Sequence, residues 1–242
     1  MVDILEASIV VPTYNERENI GLLIDKIASA LQGVKMEVIV VDDHSPDGTA
    51  DVVADYAQNR HWLKLVNRRK RRSLSGSVME GFRIARGQIL GVLDADLSHD
   101  PILLPQMIEL VHNGVEVVIG SRRIPGGGAE EWPWFRRGLS ALGNWLARTL
   151  LQLSISDAMS GYFVMNRHCY DRVRNLVNPR GYKVLLEFCV RGRPRSIQEL
   201  PYIFRNRKQG YSKLSFYVAC TYLVMLFELS FHTWFNRSRR LH

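Results

Sequence analysis

Cysteine is scarce in this chain: its 242 residues hold only Cys169, Cys189 and Cys220. None stands in a Cys-x-x-Cys spacing or has His partners at metal-ligand intervals. That excludes a disulfide scaffold and a zinc site and points to a reducing compartment. The start, Met1-Val2-Asp3-Ile4-Leu5-Glu6, lacks the basic region and long apolar core of a signal peptide, so a cytoplasmic catalytic part is expected. Internal repeats and low-complexity linkers are also missing. So is a long apolar run. The most apolar segment, Leu214 to Phe235, contains Glu228, and only the 14 residues from Leu214 to Phe227 pass without a charge. A bilayer span needs roughly 20 apolar residues. The segment therefore reads as interfacial or re-entrant; a buried amphipathic helix or a C-terminal tail anchor are the other readings.

Acidic residues are in deficit. With 24 Asp and Glu against 32 Lys and Arg, the net charge is +8, which favours an anionic partner: nucleic acid, acidic headgroups or phosphorylated small molecules. The length of 242 residues suits one large α/β domain, with or without a small appendage, and the 46% hydrophobic and 23% charged content excludes a disordered chain.

Apolar runs alternate with helical periodicity in the first half, the pattern of a mostly parallel sheet with helices on both faces. Strands are expected at Ser8–Val11, Glu37–Val41, Leu63–Val66, Gln88–Leu93 and Val115–Gly120, and helices at 20–31, 50–58 and 103–111. Pro12 is expected to close the first strand. Pro125 with Gly126-Gly127-Gly128 reads as a flexible loop. A helix is expected from about Leu139 to Leu151.

Polar clusters stand where strands end. After the first come Pro12-Thr13-Tyr14-Asn15-Glu16, able to present Tyr14 and Glu16 at the sheet's carboxyl edge, with Asn15 as a simple helix cap the plainer reading. After the second comes Asp42-Asp43-His44-Ser45-Pro46-Asp47-Gly48-Thr49. Asp47 and Thr49 suit a turn and N-cap. That leaves Asp42 and Asp43 near the crevice, where a carboxylate can accept from a base edge or a ribose hydroxyl. After the fourth strand comes Asp94-Ala95-Asp96. Alone it is an ordinary solvated turn. Beside two other polar strand ends it becomes a candidate site for a hard cation, since Mg²⁺ takes one or two carboxylates plus substrate phosphates.

The ordered set Val-Pro-Thr-Tyr-Asn-Glu, Val-Asp-Asp-x-Ser-Pro-Asp-Gly-Thr and Asp-Ala-Asp-Leu-x-His resembles the polyprenol (dolichol) phosphate mannosyltransferases, inverting GT-A glycosyltransferases. The likeness continues through Gly120-Ser121-Arg122, Trp132-Pro133-x-x-Arg136-x-x-x-Ser140, Asp157-x-x-Ser160-Gly161 and Arg207-x-x-Gly210-x-Ser212-Lys213-Leu214. It implies a Rossmann-like GT-A catalytic domain over 1–213 and a membrane-associating segment over 214–242. Pro12, Tyr14, Glu16, Asp43, Asp94, Ala95 and Asp96 would surround the nucleotide sugar. Asp94, Asp96 and Ser98 would serve Mg²⁺ or Mn²⁺. Arg122, Arg136, Ser140, Arg207 and Lys213 would hold phosphates, with Asp94, Asp96 and Arg122 at the chemistry.

The reaction so implied is transfer of mannose from GDP-mannose to a polyprenyl monophosphate, at the cytoplasmic face of a membrane. Partners would be the membrane surface and either small membrane subunits or spans beyond residue 242, with no nucleic acid. Three departures bear on donor and acceptor: Ser98 where the family usually has Gln, Ser73-Leu74-Ser75-Gly76 where it has a glycine-rich turn, and Tyr211 where it has Glu. Competing readings are transfer from UDP-glucose, a basic nucleic-acid module built on Arg68–Arg72, and an inactive membrane-surface scaffold.

Overall fold

Four of the apolar runs form adjacent parallel strands: β1 (Ala7–Thr13), β2 (Met36–Asp42), β3 (Leu63–Asn67) and β4 (Ile89–Val92), with β1 between β2 and β4. The structure is a computed structural model and describes residues 5–70, 72–130, 134–178, 183–205 and 221–231. Each strand leads into a helix: α1 (Arg17–Ala30), α2 (Thr49–Ala57), α3 (Leu74–Ile84) and α4 (Leu104–His112), the last entered through a 3-10 turn at Pro101–Leu103. There follow β5 (Val117–Ser121), β6 (Gly128–Ala129), α5 (Trp134–Leu151), β7 (Phe163–Asn166), α6 (Arg167–Val173), α7 (Val184–Gly192), β8 (Ile197–Pro201) and β9 (Ile203–Phe204).

The main sheet has the order β3-β2-β1-β4-β7-β5-β8, and β6 pairs with β9 in a two-stranded ribbon. β7 alone runs against its neighbours β4 and β5. Successive side chains of a strand point to opposite faces, so β1 sends Val10 to one core and Ile9 and Val11 to the other. One core packs α3, α5, α6 and α7; the other packs α1, α2 and α4. This is the mostly parallel sheet flanked by helices that the alternation predicts.

Three local expectations are corrected, and one strand carried no expectation. β1 runs through Pro12 to Thr13. Its pairing with β4 stops at Val10 while that with β2 continues to Thr13, and proline is tolerated where a strand has a partner on one side only. The glycine run is a packed turn. Gly127 donates to Ile124, Gly128 donates to Tyr202, and a Cβ on Gly127 would lie 2.5 Å from the Ser121 carbonyl oxygen. The helix expected from Leu139 begins at Trp134, because its exposed aromatic first turn has no place in an apolar-periodicity count. β7 has only four residues and reads as helix or strand with equal ease until β4 and β5 pair with it.

Residues 221–231 are helical. Met225, Leu226 and Leu229 enter the core, each contributing about 1.5–3 kcal/mol by burial, while Leu223, Val224, Phe227 and Phe231 stay exposed. Residues 214–220 and 232–235 of the same apolar segment lie outside the described residues. No helix among the described residues is long and apolar enough to cross a membrane.

Candidate active site

β1 and β4 are neighbours whose chains continue to opposite sides of the sheet, β1 toward β2 and β4 toward β5. Open α/β sheets bind ligands outside the carboxyl ends of strands at such a switch point. The three polar strand ends meet there.

The first two are stitched together. Asn15 N–H donates to Ser45 Oγ (2.9 Å), Glu16 N–H to Thr49 Oγ1 (3.0 Å) and Arg17 N–H to Asp47 Oδ2 (3.2 Å). Asn15 and His44 take φ values of 57° and 55°, a left-handed turn that Asn and His adopt more readily than most residues. Glu16, rather than Asn15, is the N-cap residue of α1, and its Oε2 accepts from Asn19 Nδ2 at 2.9 Å. Asp42 is internal, accepting from Thr13 Oγ1, Ser45 N–H and Ser45 Oγ. Asp43 meets Arg68, whose Nη1 donates to Oδ1 at 2.6 Å, and Ser73, whose N–H donates to Oδ2 at 3.0 Å. The Arg72 guanidinium lies 4.2 Å from the centre of the Tyr14 ring. Tyr14, Glu16, Asp43, Arg68 and Arg72 thus form one corner above buried Pro12.

The acidic pair follows β4. Asp94 is 31% exposed, whereas Asp96 and Ala95 are buried. Asp96 Oδ1 accepts from both the N–H (3.1 Å) and the hydroxyl (2.5 Å) of Ser98, a tight Asx-type turn that places Leu97 at φ 62°. Ser98, expected as a metal ligand, is fully buried and donates its hydroxyl proton to Asp96; it enters as a brace for that carboxylate.

His99 is buried, stacked on Tyr162 with a centroid separation of 5.1 Å and edge-on to Tyr202 and Phe204. Its Nδ1 accepts from the Asp94 N–H at 3.0 Å, so the ring is the neutral tautomer. Burial lowers its pKa, against the pull of Asp94 and Asp96. Among the described residues no three His, Cys, Asp or Glu side chains gather as a metal cage. Two carboxylates on one short turn nevertheless suit a hard divalent ion that takes its other oxygens from a diphosphate and water.

The other side of the crevice is a turn at Asp157–Gly161, preceding β7. Asp157 is fully buried. It accepts from Arg122 at three points: backbone N–H (3.0 Å), Nε (2.7 Å) and Nη2 (2.8 Å). Burial alone would raise the Asp157 carboxyl, but the bonds and charge of Arg122 outweigh it and hold it below the ordinary value. Arg122, expected as a phosphate ligand, therefore has two guanidinium nitrogens committed to this pair. Asn144 of α5 and Glu199 of β8 hold the same turn: Asn144 bonds Ser156 and Ala158, and Glu199 accepts from Ser156 and Asp157 N–H. A Cβ on Gly161 would sit 3.3 Å from Asp94 Oδ2, which brings the turn against the acidic pair. Lys183, just before α7, donates from Nζ to the Met159 carbonyl at 3.1 Å. Burial, then the charge of Arg122, depresses its pKa.

Ser140 lies on α5, where its hydroxyl accepts from Arg123 Nη2 at 2.9 Å. Arg136 is in the same helix, its side chain outside the described atoms, and Arg207 and Lys213 lie outside the described residues. His99, Lys183, Arg123 and Glu199 carry no role in the sequence reading. The Asp-Ala-Asp-Leu-x-His spacing was a signal for His99, but no local pattern marks a single lysine ahead of a helix.

Residues 8–174 match the family described as Glycosyl transferase family 2. A dolichol-phosphate mannosyltransferase of Pyrococcus furiosus is 37% identical over 227 residues, 93% of this chain, which spans 64% of that protein's length. One from Saccharomyces cerevisiae is 35% identical over 235 residues, 93% of this chain and 87% of the relative. Among solved structures, glucosyl-3-phosphoglycerate synthase from Mycobacterium tuberculosis, in complex with Mn²⁺, UDP and phosphoglyceric acid, superposes with a TM-score of 0.71 at 18% identity. That match covers 93% of this chain and 78% of the other, and establishes the GT-A fold.

Proposed function

The chain belongs to glycosyl transferase family 2, in the group of dolichol- and polyprenol-phosphate mannosyltransferases, and from that premise we propose that it transfers mannose from GDP-mannose to a polyprenyl monophosphate with inversion. The observation that carries the reading is the convergence of Tyr14, Asp43 and Asp94-Ala95-Asp96 on one switch-point crevice, in a chain whose relatives are named for this reaction. The nucleoside takes the corner of Tyr14, Glu16 and Asp43. The diphosphate lies toward Asp94 and Asp96, which would hold Mg²⁺ or Mn²⁺. When bound, such an ion neutralises the departing diphosphate.

An oxygen of the acceptor phosphate attacks the anomeric carbon, forming the new C–O bond as the bond to the nucleoside diphosphate breaks. A phosphate dianion is already a nucleophile near neutral pH, so the protein's work is positioning and charge stabilisation, without a dedicated base. Ser98 and His99 serve this by fixing Asp96 and Asp94. Arg136, Ser140, Arg207 and Lys213 complete the phosphate-binding set.

A lipid acceptor is supported by exposed apolar side chains. α5 presents Trp134, Phe135, Leu139, Leu142 and Trp145, and the 221–231 helix adds Val224 and Phe227. Tyr222 Oη donates to Gly143 O at 2.8 Å, so the two helices are neighbours. Exposed apolar side chains on neighbouring helices suit a membrane or protein contact, and aromatic residues suit the headgroup zone. We place 1–213 as the catalytic part and 214–242 as membrane-associating, with the site at the cytoplasmic face and small membrane subunits or further spans as partners. The test is transfer of radiolabelled mannose from GDP-mannose to short polyprenyl phosphates with and without Mg²⁺ or Mn²⁺, beside UDP-glucose. Metal-dependent mannolipid is the expected product; glucolipid alone would move the donor to UDP-glucose.

A further inference from the structure

Lys183 is a half-buried cation that the reaction described above does not yet use. Its hydrogen-bond acceptor among the described residues is a neutral carbonyl, that of Met159. An ammonium has three donors and is costly to withdraw from water without an anion. Arg122, its cationic neighbour, differs: its Nε and Nη2 donate to the Asp157 carboxylate.

The placement of Lys183 is informative. Met159 lies in the turn whose Gly161 abuts the Asp94 carboxylate, and the charges of Arg122, Asp94 and Asp157 all act on the Lys183 ammonium. Along the sheet the order is β2, β1, β4, β7, β5. Tyr14 and Asp43 stand at the ends of β1 and β2, the acidic pair at the end of β4, and the turn held by Lys183 immediately before β7. A nucleotide sugar laid from the β1–β2 corner to the acidic pair therefore presents its sugar toward Lys183. The same turn is bound by Asn144 of α5, the helix with the exposed aromatic face.

We infer that Lys183 binds the attacking phosphate monoester, on the side of the acidic pair away from the nucleoside. This rests on the proposed reading of the reaction and assigns the acceptor-phosphate subsite to a residue outside Arg136, Ser140, Arg207 and Lys213. In the full chain with GDP and Mn²⁺ present, calorimetric titration with farnesyl phosphate, against farnesol as control, measures the subsite directly. Lys183→Met is expected to weaken farnesyl phosphate about tenfold, the worth of one charge-assisted bond, and to leave GDP affinity within about twofold. Lys183→Arg should recover part of the loss, and thermal melts of both variants check that the fold persists.

Equal farnesyl phosphate affinity in wild type and Lys183→Met overturns the assignment. So does a matching loss of GDP affinity, or wild-type binding of farnesyl phosphate no tighter than that of farnesol. Wild-type protein that binds farnesyl phosphate through Lys183 yet transfers no mannose overturns the reaction and leaves the subsite standing.

Discussion

The two sides of the crevice are built by different means. On the β1–β2 side, polar side chains come from loops that directly follow strands, and most partners are a few residues or one βα unit away, as with Asp42 and Ser45 or Asp47 and Thr49. On the β7–β5 side, the turn at Asp157–Gly161 is held by Arg122, Asn144, Lys183 and Glu199, from four separate elements. The first side repeats a local motif of a parallel sheet. The second is a tertiary assembly around one reversed strand, to which α5 contributes the buried Asn144. Under the proposed reaction, a soluble nucleotide would use the first construction and an amphiphilic acceptor the second.

The sharpest break in this contrast is expected at the shared centre. Asp96→Asn keeps the volume and an acceptor for Ser98 but removes the charge, and should lower transfer about a thousandfold, equivalent to about 4 kcal/mol, with an unchanged melting curve. Retention of a tenth of the rate would exclude Asp96 from holding the metal.

Next comes Asp157→Asn, which leaves the buried Arg122 guanidinium without its counter-charge. Breaking a buried pair costs about 3–5 kcal/mol, read as a lower urea midpoint at pH 7. The pH dependence has a fixed sign. Because the folded Asp157 pKa is depressed, its contribution is complete above the ordinary carboxylate value of about 3.9 and is lost as pH falls through the lower folded value. The gap between wild type and variant should therefore narrow in acid below about pH 4. A gap that is constant with pH would contradict the ion pair.

A smaller effect tests the β1–β2 side. Gly81 of α3 faces Val10, and an added Cβ would lie 2.5 Å from Val10 Cγ1. Gly81→Ala is expected to cost about 1–3 kcal/mol by overpacking, despite alanine's better helix propensity. A stabilised variant would show that α3 can shift off the sheet.

The smallest stability change is expected on the apolar face. Trp145→Gln with Phe227→Gln, at side chains 59% and 72% exposed, should alter stability by no more than about 0.5 kcal/mol each while reducing sedimentation with anionic vesicles. Unchanged vesicle binding would send the membrane contact elsewhere.

Legibility in the sequence follows the same division. Strands β1, β2 and β4 stand out because burial on both faces demands continuous apolar runs, and α1, α2 and α4 show the 3.6-residue helical period; α3 was not legible, since its first turn lies on Ser73-Leu74-Ser75-Gly76, a stretch read as a turn. The acidic pair and the polar ends of β1 and β2 were legible for the same reason: they sit where those runs stop. Ser98 was legible as a neighbour of Asp96 but not in its direction, since only the turn geometry aims its hydroxyl at that carboxylate. Arg122 stood out as a cation, while its commitment to Asp157, 35 residues away, depends on β5 and β7 lying side by side. Lys183 and Glu199 gave no signal, because each acts on backbone atoms of a distant turn.

By itself, then, the sequence determined the alternating βα frame, the identity of the acidic strand ends and the family, because periodicity and motif spacing are local properties of a chain. The tertiary structure alone decided that β7 runs backward between β4 and β5, that Asp157 neutralises Arg122, and that Lys183 bonds the Met159 carbonyl in the turn that abuts Asp94. The physical reason is that buried charges must find partners within hydrogen-bond reach, and in this protein those partners lie tens of residues apart along the chain.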